Sequence, residues 1–373
     1  EIDEDRHKQA NLEFVPLDGK FRENVIIQVK NGAIDFQPRE PFHPLFGAVK
    51  QTNLGVEFQI TQEYLGQATQ LVYLSHMWKE VLESKTYRPT QTATVAGIVD
   101  GSDSGQKLTL MAGVSNIGTD RNWTGHLFGQ ANWYAFGRLA WDPYLSSAQI
   151  AEEWTKLTFG QNSENLVKIK EIMLDSHEAA VNYMTPLGLH HIMGWDHHYG
   201  PGPWVTGGRA DWTALYYHRA DSLGIGFDRT ATGSKALDQY ATELIQAWSD
   251  SEQIPEKYLL WFHHLPWDYT MKSGKTLWEE IGLHYDQGVK SARTMKNTWE
   301  SLNGAIDPEQ YSHVSQLLEI QVQEAEWWRN ACLLYFQSIS QRPFPSEIEQ
   351  PEGDLEYYKS LRFPTAPGIR PRW

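Results

Sequence analysis

Val25-Ile26-Ile27-Gln28-Val29-Lys30, followed by Asp35, and Val56-Glu57-Phe58-Gln59-Ile60-Thr61, followed by Glu63, are the stretches that decide how this chain folds. Both runs have the apolar, β-branched character of strands. Each stops just short of a carboxylate set among Gly, Pro, Gln and aromatic residues. An α/β barrel places its catalytic groups at the C-terminal ends of parallel strands. Two carboxylates at neighbouring strand ends therefore point to acid–base chemistry, and the tryptophan-rich surroundings point to a sugar.

The immediate neighbourhoods leave each residue two readings. An Asn31-Gly32 turn ends the first strand, and Asp35 follows between Ile34 and Phe36. A partly desolvated carboxylate of that kind is tuned for proton transfer. The same residue could instead pair with Arg39 or cap a following helix. Glu63 could equally be a first-turn helix residue favoured by the helix dipole. Lys30 is either a solvated charge or, at the mouth of a barrel, a ready cation for an anionic substrate.

Further out, residues 1–145 alternate between strands and helices. Strands are expected at 25–30, 56–61, 93–99, 108–114 and 131–136. A helix is expected from Leu65 to Glu83, on apolar positions such as Leu71, Leu74, Trp78, Val81 and Leu82. Strands separated by helical crossovers imply a parallel sheet or barrel, here with too few units to close an eight-stranded one. After Trp141-Asp142-Pro143-Tyr144 the pattern changes. Ser146 and Gln149 predict a capping box, and helices follow at about 146–158, 163–184, 233–250, 272–302 and 308–341. Asn303 to Pro308 reads as a helix stop and a restart with proline in the first turn. The fold class is thus α/β followed by all-α, with domains at 1–145 and 146–373, and a tail from about 343 packs as an irregular strap.

Composition narrows the function. The formal charge of −15 argues against a nucleic-acid binder, and no apolar run approaches a membrane span. The lone cysteine, Cys332, lies in an apolar helical pattern and reads as a buried structural thiol. The N-terminus is charged, has no signal-peptide character and does not inform on compartment; cytoplasm or periplasm is expected ahead of secretion, for which the sequon Asn122-Trp123-Thr124 is weak evidence. The 16 Trp, 17 Tyr and 14 Phe exceed what the helical spacing assigns to cores. Many cluster with Gly and His in an irregular stretch at 186–230, where flat faces can stack on a sugar ring. Within it His190, His191, Asp196, His197 and His198 invite a metal reading, but their spacings fit no zinc pattern. An aromatic and imidazole wall for a polar ligand is the better description, continued by Arg209-Ala210-Asp211-Trp212-Thr213.

The stretches NGAIDFQPREPFHPLFG, QITQEYLGQATQLVYL, HHYGPGPW and RADWTALYYHRADSLGIGFDRT closely resemble the α-glucuronidases of glycoside hydrolase family 67. That resemblance runs over essentially the whole chain. It implies the C-terminal half of a (β/α)₈ TIM barrel followed by a C-terminal helical domain. It also implies inverting hydrolysis of terminal 4-O-methyl-glucuronic acid side groups from xylo-oligosaccharides, without a cofactor or metal. On it, Asp35 and Glu63 are the basic, water-activating carboxylates, and Lys30 holds the uronic acid's carboxylate. Tyr199 and Trp212 are parts lent to the sugar site by the helical domain, and a homodimer through that domain is expected. The family's general acid comes from an earlier barrel strand, upstream of the aligned region, as do the N-terminal domain and a further carboxylate-binding cation. The chain is therefore expected to need the missing N-terminal half and to be inactive alone. A non-catalytic carbohydrate-binding remnant is the alternative, against which the retention of both Asp35 and Glu63 argues.

Overall fold

The computed structural model describes residues 5–115, 124–195 and 198–362. The Asn122 sequon position, Asp196, His197 and the last eleven residues of the tail lie outside the described residues. The expected parallel sheet is present. Strands β1 (Ile26–Lys30), β2 (Asn53–Gln59) and β3 (Met111–Val114) pair in the order β1-β2-β3, all parallel. Ile26 lies opposite Asn53, Lys30 opposite Glu57, and Gln59 opposite Val114. The middle strand is buried almost throughout, as a parallel strand covered on both faces should be. Among the described residues β1 and β3 each pair on one side only.

Helices surround this sheet and continue beyond it. In chain order they are α1 (Arg6–Phe14), α2 (Leu45–Ala48), α3 (Ser75–Leu82), α4 (Val95–Val99), α5 (Leu127–Trp141), α6 (Ser147–Phe159) and α7 (Ser163–Met184). The later ones are α8 (Ala214–His218), α9 (Thr242–Trp248), α10 (Leu259–Phe262), α11 (Leu277–Glu300), α12 (Pro308–Ser340) and α13 (Leu355–Ser360). The Ser146/Gln149 capping box opens α6, and Asp307 caps α12 with Pro308 at its first position. Long α7, α11 and α12 pack together. A Cβ on Gly288 of α11 would fall 2.4 Å from the Tyr183 backbone nitrogen of α7, so only glycine permits that approach. Cys332 on α12 is fully buried, and burial pushes its thiol up to about 12. The strap runs back along these helices, with Glu349 accepting from Arg293 and Arg329.

Three expectations for the first half are corrected. The strand expected at 93–99 is instead the helix α4 from Val95 onward, because Thr94 caps a helical turn by accepting from the Gly97 nitrogen. Residues 131–136 lie inside α5. There Phe128, Ala131, Asn132, Ala135 and Leu139 are buried at helical spacing, and His126 supplies the cap. Short apolar runs do not separate strand from buried helix by pattern alone. The helix expected from Leu65 begins only at Ser75. Upstream of it the backbone donors of Leu71, Tyr73 and Leu74 are taken by the side chains of Gln321, Ser176 and Asn132, at 2.8–2.9 Å. Likewise 233–250 divides into a 3₁₀ turn at Ala236–Gln239 and the short α9.

The two halves share one apolar core and several buried polar ties. Arg39, just after the Asp35 loop, bridges Glu80 of α3 and Glu178 of α7 at 2.8 and 2.6 Å. His177 of α7 holds the Pro38 carbonyl at 2.7 Å. At the chain's beginning, buried Asp5 pairs with buried Arg229 at 2.8 Å. His7 accepts from the Trp261 indole through Nδ1, and Tyr240, which itself donates to the Phe42 carbonyl, accepts from His7 through Nε2. The segment leading into β1 is thereby fixed to the helical half, and with it Arg6.

Candidate active site

Asp35 and Glu63 both lie just beyond the C-terminal ends of their strands, in loops. The Asp35 loop is built on a buried acid. Glu40 accepts backbone N–H bonds from Ile34, Asp35 and Gln37 at 2.6, 2.8 and 2.9 Å, closing residues 34–40 into a rigid ring. Phe36 sits inside that ring at φ +51°, a left-handed conformation that a side chain tolerates only under such restraint. Arg39 turns away to its two glutamates, so it is not the partner of Asp35. Lys30 is, through Oδ1, while the Tyr64 hydroxyl donates to Oδ2 at 2.9 Å and Arg6 approaches Oδ2 at 3.5 Å.

Glu63 is not a helix residue. Its Oε2 accepts from Gln59 Nε2 at 2.9 Å, and its Oε1 lies 2.9 Å from Nδ1 of His198. The His198 hydrogen bond, with help from Gln59, holds the Glu63 carboxyl below the usual range. Burial would raise Asp35, but Lys30, Tyr64 and Arg6 outweigh it and Asp35 too is held low. Burial and both carboxylates push the Tyr64 phenol far upward, which keeps it a proton donor to Asp35. Both acids are therefore anions at neutral pH, able to accept a proton and unable to give one.

A cavity of about 350 Å³ opens beside Asp35, within the range of small-ligand sites; Glu63 does not line it and meets it through His198 and the adjacent Tyr64. Arg6, Asp35 and Tyr64 form one wall; His191, Trp195, His198 and Trp212 form the other. Trp195 and Trp212 expose 42% and 57% of their surfaces, unusual for tryptophan and suited to stacking on a ring. Arg209 pairs with buried Asp211 at 2.6 Å and supports Trp212 from beside its ring. His191 stacks on Tyr217, with burial and His190 keeping it neutral.

The structure thus brings together Asp35, Trp212 and, through His198, Glu63. It places two expected residues elsewhere. Lys30 stands behind Asp35, over the Phe36 ring, and does not line the cavity. Tyr199 is buried beside Trp327 of α12, whose ring also packs on Gly200, where any Cβ would collide with it. The neighbouring His198 reaches the site instead. Sequence reasoning read His191 and Trp195 only collectively, within an aromatic and imidazole wall, and missed Arg6, Tyr64 and the specific part of His198. Only Tyr64, adjacent to Glu63, carried a local signal. Among the described residues, the two carboxyl groups that burial pushes upward are Glu40 and Glu324. Neither lines the cavity: Glu40 faces its own loop, and Glu324 faces Gln70.

Comparison with known sequences identifies the family. Residues 1–123 match the glycosyl hydrolase family 67 middle domain, and 124–349 match the family 67 C-terminus. A protein named probable alpha-glucuronidase A, from Aspergillus clavatus, is 39% identical over 340 residues, covering 90% of this chain and 40% of the relative. Alpha-glucuronidase A of Emericella nidulans is 38% identical over 370 residues, covering 95% of this chain and 43% of the relative. The chain thus spans about two fifths of the length of these curated relatives. With two family segments matched end to end along 1–349, the chain belongs to glycosyl hydrolase family 67.

Proposed function

We propose that these residues form the water-activating side of an inverting α-glucuronidase acting on glucuronosyl side groups of xylo-oligosaccharides. The observation that carries this reading is the pair of ionised carboxylates, 28 positions apart in sequence, set at adjacent parallel strand ends beside a cavity with one cationic and one aromatic wall. One of them takes a proton from the attacking water while the other holds that water in line. Arg6 on the cavity wall, with Lys30 behind Asp35, supplies the positive field that a uronate's carboxylate needs in an acidic protein. Trp212 and Trp195 offer faces to the sugar.

Inversion also requires a protonated acid across the ring, about 6.5–9.5 Å from the base. Among the described residues, Glu40 and Glu324 face away from the cavity, so we place the general acid outside the described residues, on the upstream barrel strand that the family resemblance implies. The sheet is then part of a barrel, and its two unpaired edges among the described residues are where neighbouring strands would add. The division into a barrel part to about 145 and a helical part beyond belongs to the same proposal.

The test is release of glucuronic acid from aldouronic acids by the complete gene product, beside Asp35→Asn and Glu63→Gln. Loss of kcat by about 10²–10⁴-fold in at least one variant is expected, with the product in the inverted configuration. Near-normal turnover in both would refute the assignment. Enzyme-like rates from the 373 residues alone would refute an external acid.

A further inference from the structure

Glu63 sits in a turn, so nothing in regular secondary structure fixes its side-chain torsions. Two side chains do. Gln59 holds one oxygen from β2, and His198 holds the other from the opposite wall, both at 2.9 Å. An ionised carboxylate has no proton to offer, so Nδ1 of His198 carries the hydrogen and donates it. The imidazole lies flat on Tyr64, with centroids 4.7 Å apart and planes 21° from parallel. Tyr64 in turn donates to Asp35. His198 adopts φ +58°, a conformation a residue with a Cβ keeps only when its surroundings demand it. One ring therefore touches Glu63 directly and reaches Asp35 through a single phenol, while lining the cavity that Asp35 and Tyr64 also line.

We infer that His198 is a positioning residue for the carboxylate pair: its Nδ1–H sets the orientation of Glu63, and its stacked ring ties that orientation to Tyr64 and Asp35. The ionisable groups facing it are Glu63, Tyr64 and, within its own wall, His191, with Asp35 behind Tyr64. Asp35 repels negative charge on Glu63, and the His198 donor is the largest influence opposing it. The inference rests on the reading of Glu63 as a water-activating group, and it predicts that His198 determines how far into acid that group stays charged.

Two variants of the complete gene product separate donor from ring. His198→Phe keeps an aromatic ring for Tyr64 and removes the donor. His198→Asn keeps a donor near the Nδ1 position and removes the ring. The ionisation of Glu63 is read without catalysis, as the infrared carboxylate band lost on Glu63→Gln, followed against pH. The acidic limb of kcat/KM is read alongside. In the Phe variant both are expected to move up by about one pH unit, and in the Asn variant by much less. A Glu63 band unmoved by His198→Phe overturns the inference, as does an equal shift in both variants. A role in folding alone would depress activity at every pH and leave both the band and the limb in place, and that result also overturns it. If the band moves and the limb does not, the positioning bond stands and the reading of Glu63 as the base fails.

Discussion

The two walls of the cavity are built on opposite plans. The wall that carries Asp35 is a closed ring of backbone bonds on a buried glutamate, cross-tied by Arg39 to two helices. The facing wall, drawn from 191–195 and 198–212, is mostly irregular, with His191 and His198 at positive φ and two tryptophans open to solvent. A reacting carboxylate must be held within fractions of an ångström, and buried hydrogen bonds accomplish that. A sugar ring needs flat apolar area, which exposed indoles provide at little cost in stability. Rigidity is therefore concentrated where proton transfer is proposed, and the looser wall reaches the rigid one through His198, which holds Glu63, and through the His191 backbone N–H, which donates to Gln37 at 2.8 Å.

That contrast can be broken most severely at Asp35 itself, where the loss of kcat should exceed that of any substitution in the aromatic wall. Next is Glu40→Ala, which strands three backbone N–H groups in a buried loop. A stability loss of about 3 kcal/mol is expected, read as a lowered urea midpoint. The Asp35 loop should loosen with it, so kcat should fall although Glu40 never meets substrate. Unchanged stability would show that the ring is not held by its acid.

Glu324 sharpens the comparison from beneath the Glu63 loop. Burial raises it to about 8, so the folded chain holds a proton there that the unfolded chain releases above about 4.5. A folded pKa above the unfolded one means stability is greatest below pH 4.5 and is lost as pH rises toward 8. Glu324→Gln should therefore stabilise the protein at pH 8, on the order of 1–3 kcal/mol, and much less at pH 5, as measured by Tm at the two pH values. The buried histidines run the other way. Burial depresses His177 and His218 to about 4, so their contribution is present above the ordinary histidine range and is lost as pH falls from about 6.5 through 4. Tm should accordingly fall on acidification through that window. The smallest effect belongs to Trp212→Ala. Its exposure predicts an unchanged Tm and a several-fold higher KM, and a large drop in Tm would place Trp212 in the core instead.

How legible these features were depended on how local their causes are. The caps at Ser146 and Asp307 involve residues two or three positions apart, and the long helices they open appear where periodicity placed them. The two strand-end carboxylates were legible for the same reason: a strand and the turn after it are neighbours in the chain. The segment 65–74 was misread because its backbone donors are satisfied by Gln321, Ser176 and Asn132, which no local pattern reveals. The strands expected at 93–99 and 131–136 became helices because short apolar runs suit either state, and a cap decided between them.

The sequence alone determined that Asp35 and Glu63 stand at the ends of adjacent strands, that a helical half follows, and that tryptophan and histidine collect in one irregular stretch. Only the tertiary structure decided that Lys30 faces Asp35 from behind, that Tyr199 is buried while His198 enters the site, and that Arg6 arrives from the chain's first helix. The last two outcomes depend on side chains more than a hundred positions apart sharing hydrogen bonds, as His198 and Glu63 do and as Trp261 and His7 do, whereas Lys30 meets Asp35 across only five positions. Hydrogen bonds act over about 3 Å of space and are indifferent to distance along the chain. Local propensity sets what each segment can become, and burial decides which polar partners it must find.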